Sequence, residues 1–110
     1  MAQEKILYLT LKKKWFDMIL SWEKKEEYRD IKQYWESRLI ESGSIILCDS
    51  IIYERFTHVV FTNGYGSHLP SFKIECNGIK IGSGQSIWGA NTSYPYFVIS
   101  LGEIIESKNC

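Results

Sequence analysis

Charge is distributed very unevenly along this chain of 110 residues, and the contrast limits the folds that it can adopt. Residues 1–55 carry ten basic and ten acidic side chains, whereas residues 56–102 carry only Lys73, Glu75 and Lys80. Seven of the eight glycines follow residue 55, among many Val, Ile, Phe, Tyr and Thr residues. A neutral segment of this composition is typical of strands joined by turns. We therefore expect helices mainly in the first half and strands mainly in the second.

The size and the overall charge exclude several classes of protein. A mass of 12.9 kDa is enough for one domain, residues 1–110, and too little for two. Thirteen basic residues balance thirteen acidic ones, which excludes a broad basic surface of the histone kind. No apolar run approaches the roughly 20 residues of a membrane span, and no signal peptide is visible. We expect a cytoplasmic protein with no membrane partner.

Periodic segments in the first half predict two strands and two helices. Residues 5–11 form a β-prone run, and the apolar side chains of residues 12–21 recur at helical spacing. Residues 25–29 form a short polar strand. Asp30 is the expected N-cap of a second amphipathic helix, which should end near Gly43 because Gly commonly terminates helices.

Strands dominate the prediction for the second half. Residues 56–62 and 95–105 are strand-like, and residues 71–82 alternate but change phase at Asn77-Gly78. Either a tight hairpin or one bent strand with a bulge explains the change, and small curved barrels favour the bulge. The total of five to seven strands and two early helices predicts an α+β fold with a mostly antiparallel, partly closed barrel.

The densest polar cluster is W-E-K-K-E-E-Y-R-D, residues 22–30. In one interpretation this rim presents Lys24, Lys25 and Arg29 to an anionic ligand, with Glu27 orienting Arg29, because the planar fork of Arg binds two phosphate oxygens. In the other it is a solvated strand with ion pairs worth about 0–1 kcal/mol each. Charge alone favours the second interpretation.

Two glycine-flanked loops carry an aromatic residue, at residues 63–66 and 86–89. Nucleobases stack on exposed Tyr or Trp side chains, and Gly lets a backbone approach a ligand closely. Tyr65 is the better candidate for such stacking, since core packing is the favoured interpretation of Trp88. The lysine run at 12–14 is either an anion-facing patch at a helix start or a solubilising segment.

No motif for a metal or for a nucleophile is present. Cys48, Cys76 and Cys110 lack the spacing of a zinc site, and an odd number of cysteines suits a reducing compartment. His58 falls in an apolar strand and His68 in a loop, and neither has a Cys or carboxylate at ligand spacing. We predict neither a metal nor a cofactor.

The run W-F-D-M-I-L-S-W-E-K-K-E-E-Y-R, after a first strand that ends in Leu-Lys, resembles the ASCH domain family of the PUA-like superfold. That family has a helix with an apolar face followed by Gly-x-Lys-x-x-Glu-x-Arg. Lys24, Glu27 and Arg29 match its three charged positions, and Trp22 stands at its Gly position. The later segments F-T-N-G-Y-G, I-E-C-N-G-I-K-I-G-S-G and Y-F-V-I-S-L-G-E-I also resemble small bacterial and phage members, so that the resemblance covers nearly the whole chain.

The resemblance implies a PUA-like β-barrel of five or six strands with two flanking helices, and an RNA- or nucleotide-binding cleft between helix and barrel. In this hypothesis Lys24 and Arg29 contact a phosphate or a base edge, Glu27 supports Arg29, and Asn63 and Tyr65 form the opposite wall. One branch of the family hydrolyses N4-acetylcytidine with a Lys in the motif and a Thr three residues later, where this chain has Glu27. The alternatives are a small hydrolase acting on a modified nucleoside or on RNA, with Lys24 as base and Glu27 as its partner, and a protein-interaction module.

Overall fold

In the part of the chain that the computed structural model describes, five strands form one mixed sheet flanked by two helices. That part comprises residues 3–41, 51–64 and 68–110. The elements in chain order are β1 (Ile6–Leu11), α1 (Lys13–Leu20), β2 (Glu26–Asp30), α2 (Gln33–Leu39), β3 (His58–Asn63), β4 (Ser71–Ser83) and β5 (Pro95–Lys108). Among the described helices, none is long and apolar enough to cross a membrane.

The strand order is β1-β3-β4-β5-β2, so β1 and β2 are the two edges of the sheet. β1 runs parallel to β3, whereas the other three neighbouring pairs are antiparallel. The sheet curls into a half-barrel. The α+β class and the mostly antiparallel, partly closed sheet are therefore confirmed. The sequence does not predict the parallel pair, because the connection from β1 to β3 contains α1, β2 and α2 and not the single helix of a βαβ unit.

β4 is one long strand with a bulge, as the favoured interpretation of its phase change predicts. Its pairing with β5 shifts register at three places between Lys73 and Gly78. Gly78 has φ +129°, a conformation that side-chain-bearing residues rarely adopt. Before the bulge, Phe72 and Ile74 are buried, and after it the opposite parity turns Ile79 inwards. The bulge bends the strand while keeping apolar residues on the concave side.

Asp30 does not cap α2, which corrects the expectation from the sequence. It is the last residue of β2, where it pairs with Tyr96 of β5. α2 begins after Lys32, whose backbone is extended and whose side chain makes no capping hydrogen bond. Pairing along β5 extends the strand through Asp30 and prevails over a single capping hydrogen bond. Gly43, the expected end of this helix, lies outside the described residues, and α2 itself ends at Leu39.

The concave face of the sheet and α1 share one core. Phe16 of α1 packs against Phe72 of β4 with ring centroids 4.9 Å apart, and Phe72 also contacts Phe61 of β3 at 5.5 Å. Ile19, one turn after Phe16, is buried in the same cluster. These contacts fix α1 across the sheet, and they therefore fix the position from which the chain enters β2.

The turn between α1 and β2 is built around a strained residue. Trp22 has φ +71°, in the left-handed region, and its side chain is 51% exposed. Its N–H donates to the carbonyl of Ile19 at 3.0 Å, and the N–H of Lys24 donates to the carbonyl of Met18 at 2.9 Å. This resembles the closure that Gly usually provides at a helix C-terminus. The turn directs the Lys24 side chain back beneath α1.

We expect the Trp22→Gly variant to be more stable than the Trp22→Ala variant by about 1 kcal/mol, because only Gly adopts a positive φ without strain. Both variants lack the indole, so the comparison removes its packing. Urea unfolding followed by fluorescence provides the two free energies of unfolding. Equal stability, or a more stable Ala variant, would contradict the left-handed turn.

Candidate functional site

A cleft of about 600 Å³ lies between the two edge strands of the half-barrel. β1 contributes Thr10 to its lining, β2 contributes Glu27 and Arg29, and the end of β3 contributes Asn63. The loop before β5 contributes Trp88. The cleft therefore collects residues that are far apart in the sequence, and it lies where the two edge strands β1 and β2 do not pair with each other.

Glu27 joins two cations at the floor of this cleft. Its Oε1 lies 2.6 Å from the Nζ of Lys24, and its Oε2 lies 2.6 Å from an Nη of Arg29. The exposed fraction of the side chain is 0% for Lys24, 9% for Glu27 and 18% for Arg29. Each carboxylate oxygen thus receives one short, charge-assisted hydrogen bond in a largely dry environment. The period of two along β2 explains why Glu27 and Arg29 face the same way.

Lys24 lies behind Glu27 and does not line the cleft. Its Nζ also donates to the main-chain carbonyl of Glu26, and it sits 5.2 Å from the ring centroid of Tyr28 and 5.8 Å from that of Trp15. Burial lowers the pKa of Lys24 below its usual 10.5, and the attraction of Glu27 opposes this only in part. The side chain is thus enclosed by acceptors and aromatic faces.

Arg29 spans the gap between the sheet edges. The Nη that contacts Glu27 also donates to the main-chain carbonyl of Thr10 on β1 at 3.1 Å. The guanidinium lies 5.1 Å from the ring centroid of Trp35 on α2. Its Nε is buried, and no described residue accepts a hydrogen bond from it. A buried donor without an acceptor costs about 1–3 kcal/mol.

Three aromatic side chains form an aromatic wall in the lining of the cleft. Trp15, Trp88 and Tyr96 are all half-buried there. Gly89 has φ +97° and lies directly against Trp15, since a Cβ at this position would be 2.8 Å from the indole. The glycine therefore lets the loop backbone approach the indole. An aromatic wall and a guanidinium in the same cleft suit a planar ligand with polar edges.

Tyr28 fastens the loop that carries Trp88 to β2. Its hydroxyl accepts a hydrogen bond from the N–H of Gln85 at 3.0 Å and donates to Glu26 at 2.8 Å. Burial raises the pKa of Tyr28 to about 12, so the phenol stays protonated and keeps donating at ordinary pH. The position of Trp88 beside the cleft is thus tied to the strand that carries Arg29.

The structure brings together three of the five residues selected from the sequence, namely Glu27, Arg29 and Asn63. Lys24 pairs with Glu27 and so belongs to the ionic chain Lys24–Glu27–Arg29, but its side chain is enclosed. Tyr65 lies outside the described residues. Sequence reasoning used Trp15 only as one of the apolar residues that recur at helical spacing, and it selected neither Trp15 nor Tyr96 for the site. The helical spacing of Trp15 does not distinguish a core position from a cleft position.

The three lysines at the start of α1 have different surroundings. Lys12 lines the cleft, whereas Lys13 pairs with Asp17 at 2.5 Å on the solvent side. Lys14 lies over the Trp15 ring, 4.7 Å from its centroid. Within the described residues, no group of three or more His, Cys, Asp or Glu side chains is arranged to hold a metal ion.

Comparisons with protein-family models, with curated proteins and with solved structures find no match to this chain. Family membership is therefore not shown, and the chemistry of the cleft carries the functional argument.

Proposed function

We propose that this chain is an RNA- or nucleotide-binding module of the ASCH type, with a PUA-like fold, and that the cleft between β1 and β2 holds one nucleotide or a short single strand. One observation carries the proposal: Arg29, held by Glu27, lines the same cleft of about 600 Å³ as the indoles of Trp15 and Trp88. This volume is within the usual range for small-ligand sites. A guanidinium supplies hydrogen bonds to a phosphate or base edge, and an indole supplies a stacking face.

The charges around the cleft favour a short ligand over a duplex. Lys12 and Arg29 are the cations in its lining, and Glu27 and Asp30 are the anions. With Lys24, which pairs with Glu27 from behind, there are three positive and two negative charges at the cleft, so the net charge there is one positive. Such a site engages one or two phosphates, whereas duplex binders neutralise many.

Titration with nucleoside monophosphates and with a six-nucleotide single-stranded RNA tests the proposal, followed by quenching of tryptophan fluorescence. We expect binding that weakens with salt on a shallow log–log slope, about 0.7 for each phosphate contacted. Failure of every probe to bind would contradict the proposal. A slope of many units would also contradict it, since that would require a broad basic surface.

The Trp88→Leu variant should bind the hexanucleotide about 5- to 150-fold more weakly, because stacking on an aromatic side chain contributes about 1–3 kcal/mol per base. Leu preserves apolar packing in the half-buried position. Trp22→Leu is the matched control, because Trp22 is an exposed tryptophan outside the cleft. The aromatic wall would be wrongly assigned if both variants bound equally well.

A hydrolase acting on a modified nucleoside or on RNA is the second candidate. It is favoured by the lowered pKa of Lys24 beside Glu27, which is how a Lys becomes a general base. It is disfavoured by the position of Lys24, since a substrate in the cleft meets Glu27 first. Incubation with N4-acetylcytidine and with a short RNA separates the candidates. Product that disappears in the Lys24→Met variant supports a hydrolase, and absence of product from both substrates counts against it.

A further inference from the structure

Glu27 and Arg29 form only one of the two hydrogen bonds that their side chains can make with each other. A carboxylate and a guanidinium commonly make two parallel hydrogen bonds. Here only Oε2 meets Arg29, because Oε1 is occupied by the Nζ of Lys24. The same Nη of Arg29 also reaches the carbonyl of Thr10. The orientation of the guanidinium is thus a compromise between a carboxylate with one available oxygen and a carbonyl on the opposite strand.

We propose that Lys24 is a positioning residue that acts on the ligand only through Glu27, by holding Oε1 and so preventing a two-bond pairing between Glu27 and Arg29. Without the ammonium, Oε1 loses the hydrogen bond from Lys24, and the guanidinium, which already bonds Oε2 of the same carboxylate, can donate to it instead. The carboxylate then rotates towards Arg29, and Arg29 turns from Thr10 and the cleft towards Glu27. This inference rests on the proposed binding function and assigns Lys24 a role within it.

Because Lys24 is buried, it does not contact a ligand in the cleft directly. Its side chain is fully enclosed and is absent from the lining of the cleft. Its Nζ faces Glu27, the main-chain carbonyl of Glu26 and the rings of Trp15 and Tyr28. A ligand in this cleft meets Glu27 in the lining and not Lys24.

A double-mutant cycle on hexanucleotide binding tests the inference, using Lys24→Met, Glu27→Gln and the double variant. We expect Lys24→Met to weaken binding about tenfold in the parent protein and less than about twofold in the Glu27→Gln background, because the effect passes through Glu27. Lys25→Met, which alters the exposed neighbouring lysine, should change binding less than about twofold. Effects that multiply in the double variant would overturn the inference, as would parent-like binding by Lys24→Met or an equal loss in Lys25→Met.

A second measurement separates this inference from the proposed function. The Arg29 Nε–H gives its own signal in ¹⁵N side-chain NMR of the ligand-free protein, and this signal should move in Lys24→Met and stay in Lys25→Met. Where Lys24→Met does not fold, Lys24→Leu replaces it, since Leu is also apolar and cannot donate a hydrogen bond to Oε1. An unmoved Arg29 signal overturns the positioning role. If the parent protein binds no RNA while the signal does move, the proposed function fails and the positioning of Arg29 by Lys24 stands.

Discussion

Replacement of Glu27 by Ala should lower the free energy of unfolding by about 3–5 kcal/mol, because it leaves two buried or partly buried cations without their shared counter-charge. Lys24 would keep only the Glu26 carbonyl and two aromatic faces, and Arg29 would keep only the Thr10 carbonyl and Trp35 among the contacts seen here. A small domain is stable by only about 5–15 kcal/mol, so this loss is a large share of the total. Urea unfolding of the two proteins under identical conditions measures it.

Glu26→Ala is the matched control for this prediction. Glu26 precedes Glu27 on β2, and its side chain accepts one hydrogen bond from Tyr28. Its loss should cost about 1 kcal/mol, the usual contribution of a single hydrogen bond. A second variant checks the cause: Lys24→Met added to Glu27→Ala should restore part of the stability, because it removes a buried unpaired charge. Equal losses in Glu26→Ala and Glu27→Ala would contradict a special role for the ionic chain.

Arg29→Ala should reduce binding of the hexanucleotide by about 10- to 100-fold, because a hydrogen bond to a charged group contributes about 1.5–3 kcal/mol. Arg29→Lys should also bind weakly, although it keeps the positive charge. One Nη of Arg29 bonds both Glu27 and Thr10, which leaves the other guanidinium nitrogens to donate to a ligand, whereas a lysine ammonium has only one nitrogen. Fluorescence titration of both variants provides the affinities.

Arg38→Ala is the control for loss of a guanidinium outside the cleft. Arg38 lies on α2 over the ring of Tyr34, 4.6 Å from its centroid, and is exposed. Its replacement should leave binding within about twofold of the parent, as expected for a screened surface charge. Because Arg29 also connects β1 with β2, urea unfolding of each variant must show a folded protein at the assay temperature. Full binding by a folded Arg29→Ala variant would remove Arg29 from the site.

Much of the fold follows from local patterns in the sequence. The helical recurrence of apolar residues over 12–21 predicts α1, and the change of phase at Asn77-Gly78 predicts the bulge in β4. Both signals are local, since side-chain direction along one element depends only on its own period. Asp30 shows the limit of this reasoning, because pairing with Tyr96 on a strand 66 positions later decides its conformation.

The site was predictable only in part. The period of two along β2 places Glu27 and Arg29 on one face, and their contact follows from that. The burial of Lys24 does not follow, because a lysine within a charged run is usually solvated. It results from the turn at Trp22 and from the packing of α1 across the sheet, neither of which leaves a clear local signal. Trp15 joins the cleft for the same tertiary reason.

Ultraviolet cross-linking of a 4-thiouridine-labelled hexanucleotide, with the attached peptides identified by mass spectrometry, tests the central claim most directly. Two aromatic residues outside the cleft compete as targets, since Tyr8 is 69% and Tyr34 53% exposed. Trp88 in the cleft is half-buried and is therefore less accessible than either. Exposure alone would therefore direct the cross-links away from the cleft. The proposed binding mode predicts cross-links at Trp88 or Trp15, lost in Arg29→Ala. Cross-links confined to Tyr8 and Tyr34, or no specific cross-link, would contradict it.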